Sequence, residues 1–428
     1  MNSPLESNQL LINALSRLYP EHQDLFPLIQ SELSIKVFGY GDHIRRVSLV
    51  RNIRNRLVAK VKRSVKYRTR MQAKSIVTPQ VSYEGYFNIK GVLDGLKDRN
   101  ISAMTVPWIN PSSSIYMLAE RINKQISKAG IVPVLGSDVF SDIQELERQL
   151  HQYYANNNIK GLLLPYDLFL VQKLAIRAAK VNNVPSIVYL HGLPGIYSSI
   201  DNLRADYLAV WGQAIKREYV KLGADPAKIL VVGHPQFSGK IPEQNVKYSF
   251  DNILVLTKAL PGGNPVSDRT ICRNREGCIA YPLLVMSVLK KLGVKKARLR
   301  PHPSESVSWY RTIVGDDFYT LDESPLDVSL SLSTLVIGPT TTMWLQARLA
   351  NVHFQVFEPH LNGKFDLLGD IPVPPFDGND SRLSVSKSCE ELESMLCEKR
   401  VTDDSIYMDW VGEKYDNSLL LDLFQNRI

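Results

Sequence analysis

Two stretches decide the fold: Ala297-Arg298-Leu299-Arg300-Pro301-His302-Pro303-Ser304 and, further along the chain, Leu335-Val336-Ile337-Gly338-Pro339-Thr340-Thr341-Thr342. Each opens as a short apolar run of the kind that forms a buried strand, and each ends at proline. Pro301 and Pro303 have no N–H to give to a ladder, so the strand stops and His302 is held at its carboxyl end. The second run turns through Gly338 and three threonines into the helical run Met343 to Ala350. The hydroxyls of Thr340, Thr341 and Thr342, with the free N–H groups of a first helical turn and the helix dipole, suit an anion. In an open parallel α/β sheet, ligands bind beyond the carboxyl ends of the strands. If the two strands are neighbours, Arg300, His302 and the threonine turn surround one phosphate-bearing ligand.

Working outward, the same alternation of apolar strand and amphipathic helix runs through most of the chain. Strands are expected at 76–81, 101–106, 131–135, 159–164, 186–190, 207–211 and 229–232, with helices such as 115–129 and 170–181 between them. Strands spaced by helices mean a parallel, doubly wound sheet. After the Gly233-His234-Pro235-Gln236-Phe237 turn, a polar linker leads to Ile253-Leu254-Val255-Leu256-Thr257, the first strand of a second such sheet. Helix 281–292 then precedes the Arg300–Pro303 motif, and a final helix is expected over 405–424, crossing back onto the first domain. The expected fold is therefore α/β, with two Rossmann-like domains whose parallel sheets face a cleft. Its domains are a helical N-terminal extension (1–74), an acceptor-side domain (75–238), a nucleotide-sugar domain (239–402) and a C-terminal helix (403–428).

Length and composition agree. A chain of 428 residues exceeds one core, and 44% apolar with 22% charged residues is ordinary for a globular protein. No apolar run reaches the ~20 residues that span a bilayer, and the N-terminus has no signal-type pattern. Four cysteines without CxxC spacing argue for a reducing cytoplasm. The net charge of +8 is concentrated: residues 45–75 carry twelve Lys or Arg and no acid, and without them the rest of the chain sums to −4. Within that segment Val50, Ile53, Leu57, Val61 and Val65 recur at helical spacing. A basic amphipathic helix of this kind suits a peripheral site on an anionic membrane surface, here the inner face of the cytoplasmic membrane. With Tyr67 its one aromatic, it has little to offer nucleic acid.

Arg-Pro-His-Pro followed by a Ser/Thr-rich turn into a helix resembles the donor half of bacterial GT-B glycosyltransferases with an HP motif and a Ser/Thr motif. These include sialyltransferases, capsule Kdo transferases and, more distantly, the CDP-glycerol polymerases. The resemblance follows the order of elements over residues 75–360, and two or three short motifs carry it. It implies a metal-independent transferase without a cofactor, whose nucleotide-sugar donor is held by Arg300, His302, Pro303, Gly338, Thr340, Thr341 and Thr342. Lys258 and His234 are further donor-binding candidates. Hydrogen-bond donation to a leaving phosphate is electrostatic catalysis aimed where charge develops. Where many such enzymes have Glu-Ala on the following helix, this chain has Gln346-Ala347, so the usual ribose contact is replaced by a neutral amide.

Three residues are candidate bases for the acceptor. Glu84, in Ser82-Tyr83-Glu84-Gly85 after the first strand, matches the acidic residue that sialyltransferases and Kdo transferases use there; burial in a cleft raises such a pKa usefully. His191, in His191-Gly192-Leu193-Pro194-Gly195, resembles the histidine of the CDP-glycerol polymerases. Asp167 follows the fourth strand and is either a third candidate or the N-cap of the next helix. Metal sites, a P-loop and Gly-x-Gly-x-x-Gly after a strand are all missing from the sequence. The expected activity is transfer of a sugar, of CMP-activated acidic type by resemblance, to a bacterial surface polysaccharide or glycolipid. The alternatives are a CDP-glycerol-type phosphotransferase, a UDP-sugar 2-epimerase and a non-catalytic glycan- or lipid-binding protein.

Overall fold

The computed structural model describes residues 12–29, 32, 79–85, 89–128, 138–194, 197, 204–240, 246–257, 275–303, 305, 307–360 and 372–425. The basic segment 44–74, the expected strand 131–135, the loop 261–265 and Lys258 lie outside them.

The first sheet contains β1 (Gln80–Tyr83), β2 (Ser102–Thr105), β3 (Ile159–Leu164), β4 (Ser186–Tyr189), β5 (Tyr207–Val210) and β6 (Ile229–Val231), in the order β2-β1-β3-β4-β5-β6. The pairings β1–β2, β1–β3, β3–β4 and β4–β5 are parallel. Helices α1 (Lys90–Asp98), α2 (Ser114–Lys128), α3 (Val139–Asn156), α4 (Leu170–Val181) and α5 (Gln213–Lys221) supply the crossovers. The described part of the first strand is displaced toward Tyr83 from the expected 76–81. β3 and α4 fall where their patterns put them.

The second sheet contains β7 (Ile253–Leu256), β8 (Ala297–Arg300), β9 (Tyr319–Leu321), β10 (Leu335–Gly338), β11 (Phe354–Phe357) and β12 (Val385–Ser386). Its order is β12-β11-β10-β7-β8-β9, again with every pair parallel. Helices α6 (Arg275–Lys291), α7 (Val307–Val314), α8 (Leu326–Leu332), α9 (Met343–Leu349) and α10 (Cys389–Cys397) belong to it. Strands buried on both faces read as continuous apolar runs, as ILVL at β7 and LVIG at β10 do. α6 starts before the expected 281 and carries Pro282 inside it.

The C-terminal segment is two helices, α11 (Ser405–Val411) and α12 (Ser418–Gln425), where the pattern predicts one. Gly412, at φ +83, stops the first, because a left-handed residue cannot continue a right-handed helix. By contacts the chain divides into one unit of 1–189, 200–209 and 417–428 and another of 190–199 and 210–416. Thus α12 is part of the first unit, where Leu420, Leu421 and Phe424 are buried. Gly95 and Gly161 make room there: a Cβ on Gly161 would lie 2.2 Å from the Phe424 ring.

Residues 12–18 of the N-terminal extension are helical, and 23–28 form turns. This segment is packed into the first unit, with Phe26 and Ile29 fully buried and His22 stacked on Phe140 at 4.0 Å. The Glu32 carboxylate accepts from the Leu170 N–H (2.6 Å) at the start of α4, and Lys173 donates to the carbonyls of Pro27 and Leu28.

Candidate functional site

Strand order says where each sheet binds ligands. Numbered within the second sheet, the order is 3-2-1-4-5-6, so the winding reverses between β7 and β10, and the crevice beyond their carboxyl ends is the switch point. Thr257 follows β7, and Pro339-Thr340 follows β10. In the first sheet, the order 2-1-3-4-5-6 puts the switch point between β1 and β3, where Glu84 follows β1.

At the second-sheet switch point, β7 lies between β8 and β10, so the His302 and threonine turns are not on neighbouring strands as expected. Two interstrand steps, about 10 Å, separate them. Thr257 stands between and ties the His302 turn down. The His302 N–H donates to Thr257 Oγ1 (2.9 Å) and to Glu305 Oε2 (2.9 Å). Thr257 is also hydrogen-bonded to Glu305 Oε2, Tyr310 OH donates to Glu305 Oε1 (2.9 Å), and the Glu305 N–H closes the turn on the His302 carbonyl (2.8 Å). This network leaves the His302 and Pro303 side chains exposed.

The threonine turn is arranged differently from the sequence reading. The Thr340 N–H, expected for a ligand anion, donates to the carboxylate of Glu358, a residue 1% exposed at the end of β11. Thr341 Oγ1 accepts from the Met343 N–H (3.3 Å), and Thr342 is the N-cap residue of α9 without a capping side-chain bond. Thr340 Oγ1 is buried with no hydrogen-bond partner. Gly338 is there for packing: a Cβ would lie 2.6 Å from the Phe354 ring.

Arg300 is bonded within its own sheet. Alternation along β8 puts Arg298 and Arg300 on one side, and both pair with the buried Asp322 at the end of β9. Arg300 Nη1 also donates to the Ser324 carbonyl (2.7 Å) and Ser329 Oγ (2.9 Å), so this nitrogen fastens β8 to β9 and α8.

At the first-sheet switch point, Glu84 is 7% exposed. Trp108 Nε1, from the 3-10 turn Pro107–Ile109, donates to its Oε2 (3.0 Å). Gln172 Nε2, from α4, reaches Oε2 (3.0 Å) and Oε1 (3.2 Å). Burial pushes the Glu84 pKa up, and the two neutral donors oppose this only in part.

Asp167 is fully buried and holds Arg204, accepting from its N–H (2.8 Å) and its guanidinium (3.3 Å). It is not the cap of α4, whose N-cap is Phe169. His191, beyond β4, is exposed. His234 is packed into its own turn. Its Nδ1 accepts from the Gln236 N–H (3.0 Å), its ring lies against Trp211 and Phe237, and burial pushes its pKa down to about 4. Gly233, at φ +76, and His234 form the turn that receives 411–416: the His234 N–H donates to the Val411 carbonyl and the Asp416 N–H to that of Val232. The turn is structural because a Cβ on Gly233 would lie 2.2 Å from the Lys414 carbonyl oxygen.

Reading the sequence misses Glu305, Glu358, Trp108 and Gln172. Glu358 leaves a signal, a carboxylate closing the apolar run Phe354–Phe357; the other three gain meaning only from the packing of separate elements. Among the described residues no group of three or more acidic, His or Cys side chains could hold a metal ion, and no helix is long and apolar enough to cross a membrane.

No protein-family model and no curated protein matches the chain. Among solved structures, UDP-GlcNAc 2-epimerase from Neisseria meningitidis bound to UDP-GlcNAc is similar with a TM-score of 0.44 at 10% identity, over 82% of this chain and 99% of that one. The lipopolysaccharide outer core galactosyltransferase WaaB gives 0.43 at 11%, over 81% and 98%. Anabaena HepE in complex with UDP gives 0.37 at 10%, over 82% and 98%. Nothing about activity follows from likenesses this distant.

Proposed function

We propose that the protein is a GT-B-type glycosyltransferase, with a nucleotide-sugar donor at the second-sheet switch point and an acceptor hydroxyl presented to Glu84. The observation that carries this reading is the placement of Thr257, His302 and Thr340 at the carboxyl edge of β7, β8 and β10, around the reversal of strand order. There His302 donates to the departing phosphate. Glu84, at the other switch point with its pKa raised by burial, takes the acceptor proton.

A CMP-activated acidic donor rests on the resemblance, and Arg300, His302 and Lys258 would suit a donor carrying both phosphate and carboxylate. Arg300 Nη1 is committed to Asp322, Ser324 and Ser329, and Lys258 lies outside the described residues, leaving His302 for that argument. The donor is therefore taken as a nucleotide sugar, and its nucleotide is found by thermal shift against CMP, CDP, UDP and GDP. A nucleotide at 100 times its Kd adds about 2.7 kcal/mol to the stability of the native state. Stabilisation by CMP alone supports the acidic-sugar donor, and stabilisation by UDP or GDP alone removes it. Membrane attachment through residues 44–74 is a further proposal; absence of flotation with anionic vesicles at low salt would reject it.

The epimerase alternative is favoured by one observation. Glu305 and Glu358 stand on the same sheet edge as His302, giving acid–base groups beside a donor without any acceptor. Turnover of a UDP-sugar alone supports it, and strict dependence on a glycan acceptor removes it.

A further inference from the structure

Glu84 Oε2 carries two donors, from Trp108 and Gln172, while Oε1 carries only the longer reach of the same Gln172 nitrogen. Oε1 is thus the oxygen open to a proton. Gln172 is itself 3% exposed, and its own Oε1 is buried with no hydrogen-bond partner. An amide carbonyl buried unpaired costs stability, so this one stands where a donor is wanted at some stage. Trp108 Nε1 can only donate, and a carboxylate can only accept. A protonated Glu84 carboxyl is bonded to the same amide and has an O–H to give.

We propose that Gln172 is a positioning residue that holds Glu84 in both of its protonation states. Its Nε2 donates to the carboxylate; once the proton has arrived, the amide turns over about its last torsion and its Oε1 accepts the carboxyl O–H. The inference rests on Glu84 being the base. In that step the acceptor O–H breaks and its proton goes to Glu84 Oε1. The electron pair left on the acceptor oxygen forms the bond to the sugar carbon, and the bond from that carbon to the nucleotide phosphate breaks with its pair on the phosphate.

The ionisable groups on the surrounding elements are engaged elsewhere. On α4, Lys173 donates to the carbonyls of Pro27 and Leu28. Beyond β3, Asp167 is paired with Arg204, and Lys160 sits at the strand's other end. From α3, Tyr153 OH is bonded to Ser82 Oγ (2.8 Å). Among the described residues, burial and the two neutral donors act on the titration of Glu84, with no charged side chain in the balance.

The test is infrared and 13C titration of the Glu84 carboxyl in the full chain, for wild type, Gln172→Met and Trp108→Phe, with Glu84→Gln identifying the signal. Trp108→Phe removes a donor to the charged form alone and shifts the midpoint up, by about one pH unit, whereas Gln172→Met removes a bond from both forms and shifts it less. The O–H stretch of protonated Glu84 separates them. It lies at a hydrogen-bonded position in wild type and in Trp108→Phe, and moves to the free-acid position in Gln172→Met. A wild-type stretch already at the free-acid position overturns the proposal, even if Gln172→Met does not fold. So does a Gln172→Met titration and stretch identical to wild type. Full transfer activity in Glu84→Gln instead removes the base assignment, whatever the spectra of Gln172→Met show.

Discussion

Glu84 carries the residue-scale argument, because its surroundings set both its chemistry and its contribution to stability. Its carboxyl is buried against neutral donors, so its folded pKa lies above its unfolded one. The contribution of such a group to stability is full below the unfolded pKa and is lost as pH rises through the folded value. Glu84→Gln should therefore lower transfer by about 10²- to 10⁴-fold. It should also remove this part of the stability loss on raising the pH, seen as a flatter series of urea midpoints; unchanged transfer contradicts the assignment. Two histidines act in the opposite sense. Burial pushes His234 and His353 down to about 4. What they contribute is present above their unfolded pKa, 6.5, and is lost as the pH falls toward 4. The His353 ring stacks on Tyr248 at 4.6 Å, its Nε2 has no partner, and the side chain is bonded to Gln355, so His353→Phe keeps the stack and gives up the Gln355 bond. That variant should lose less stability than wild type between pH 6.5 and 4 in chemical denaturation; an unchanged slope would show that His353 does not contribute. Little of this was legible in the sequence. Glu84 could be placed after its strand, but Trp108 and Gln172 come from separate elements that only tertiary packing brings to it.

Elements were more legible than partners. The apolar runs at β7 and β10 fixed those strands closely because their burial on both faces leaves an unbroken hydrophobic signature. Arg300 reads as a ligand for phosphate because it ends β8 beside His302, and that position does not say that Asp322 waits at the end of β9. The split between α11 and α12 was missed because their apolar spacing continues across Gly412, whose positive φ ends the first helix. Glycines also set the element-scale prediction. Gly161→Ala forces a methyl toward the Phe424 ring, which can move, and should cost about 1–3 kcal/mol as an overpacked contact. Gly233→Ala places a methyl against the Lys414 carbonyl oxygen at a φ of +76, where backbone rather than a side chain must yield. Urea unfolding should show Gly233→Ala as the more destabilised variant; the reverse order would contradict the packing described around the 233–238 turn.

For the whole molecule, the βα alternation foretold two parallel sheets, and both are present with six strands each. The order of those strands lies beyond periodicity, since any crossover helix looks alike whichever neighbour the next strand chooses. Strand order is nevertheless what locates the switch points, with Glu84 at that of the first sheet and Thr257, His302 and Thr340 around that of the second. The central claim is that the β7–β10 crevice holds the nucleotide of a sugar donor. Its most direct test is a thermal-shift titration of wild type and His302→Ala with CMP, CDP, UDP and GDP. The account predicts that one of the four raises the wild-type Tm in a saturable, concentration-dependent way, and that His302→Ala, folded with the same ligand-free Tm, loses most of that rise. A wild-type Tm unmoved by all four, or a rise that His302→Ala keeps in full, would contradict it.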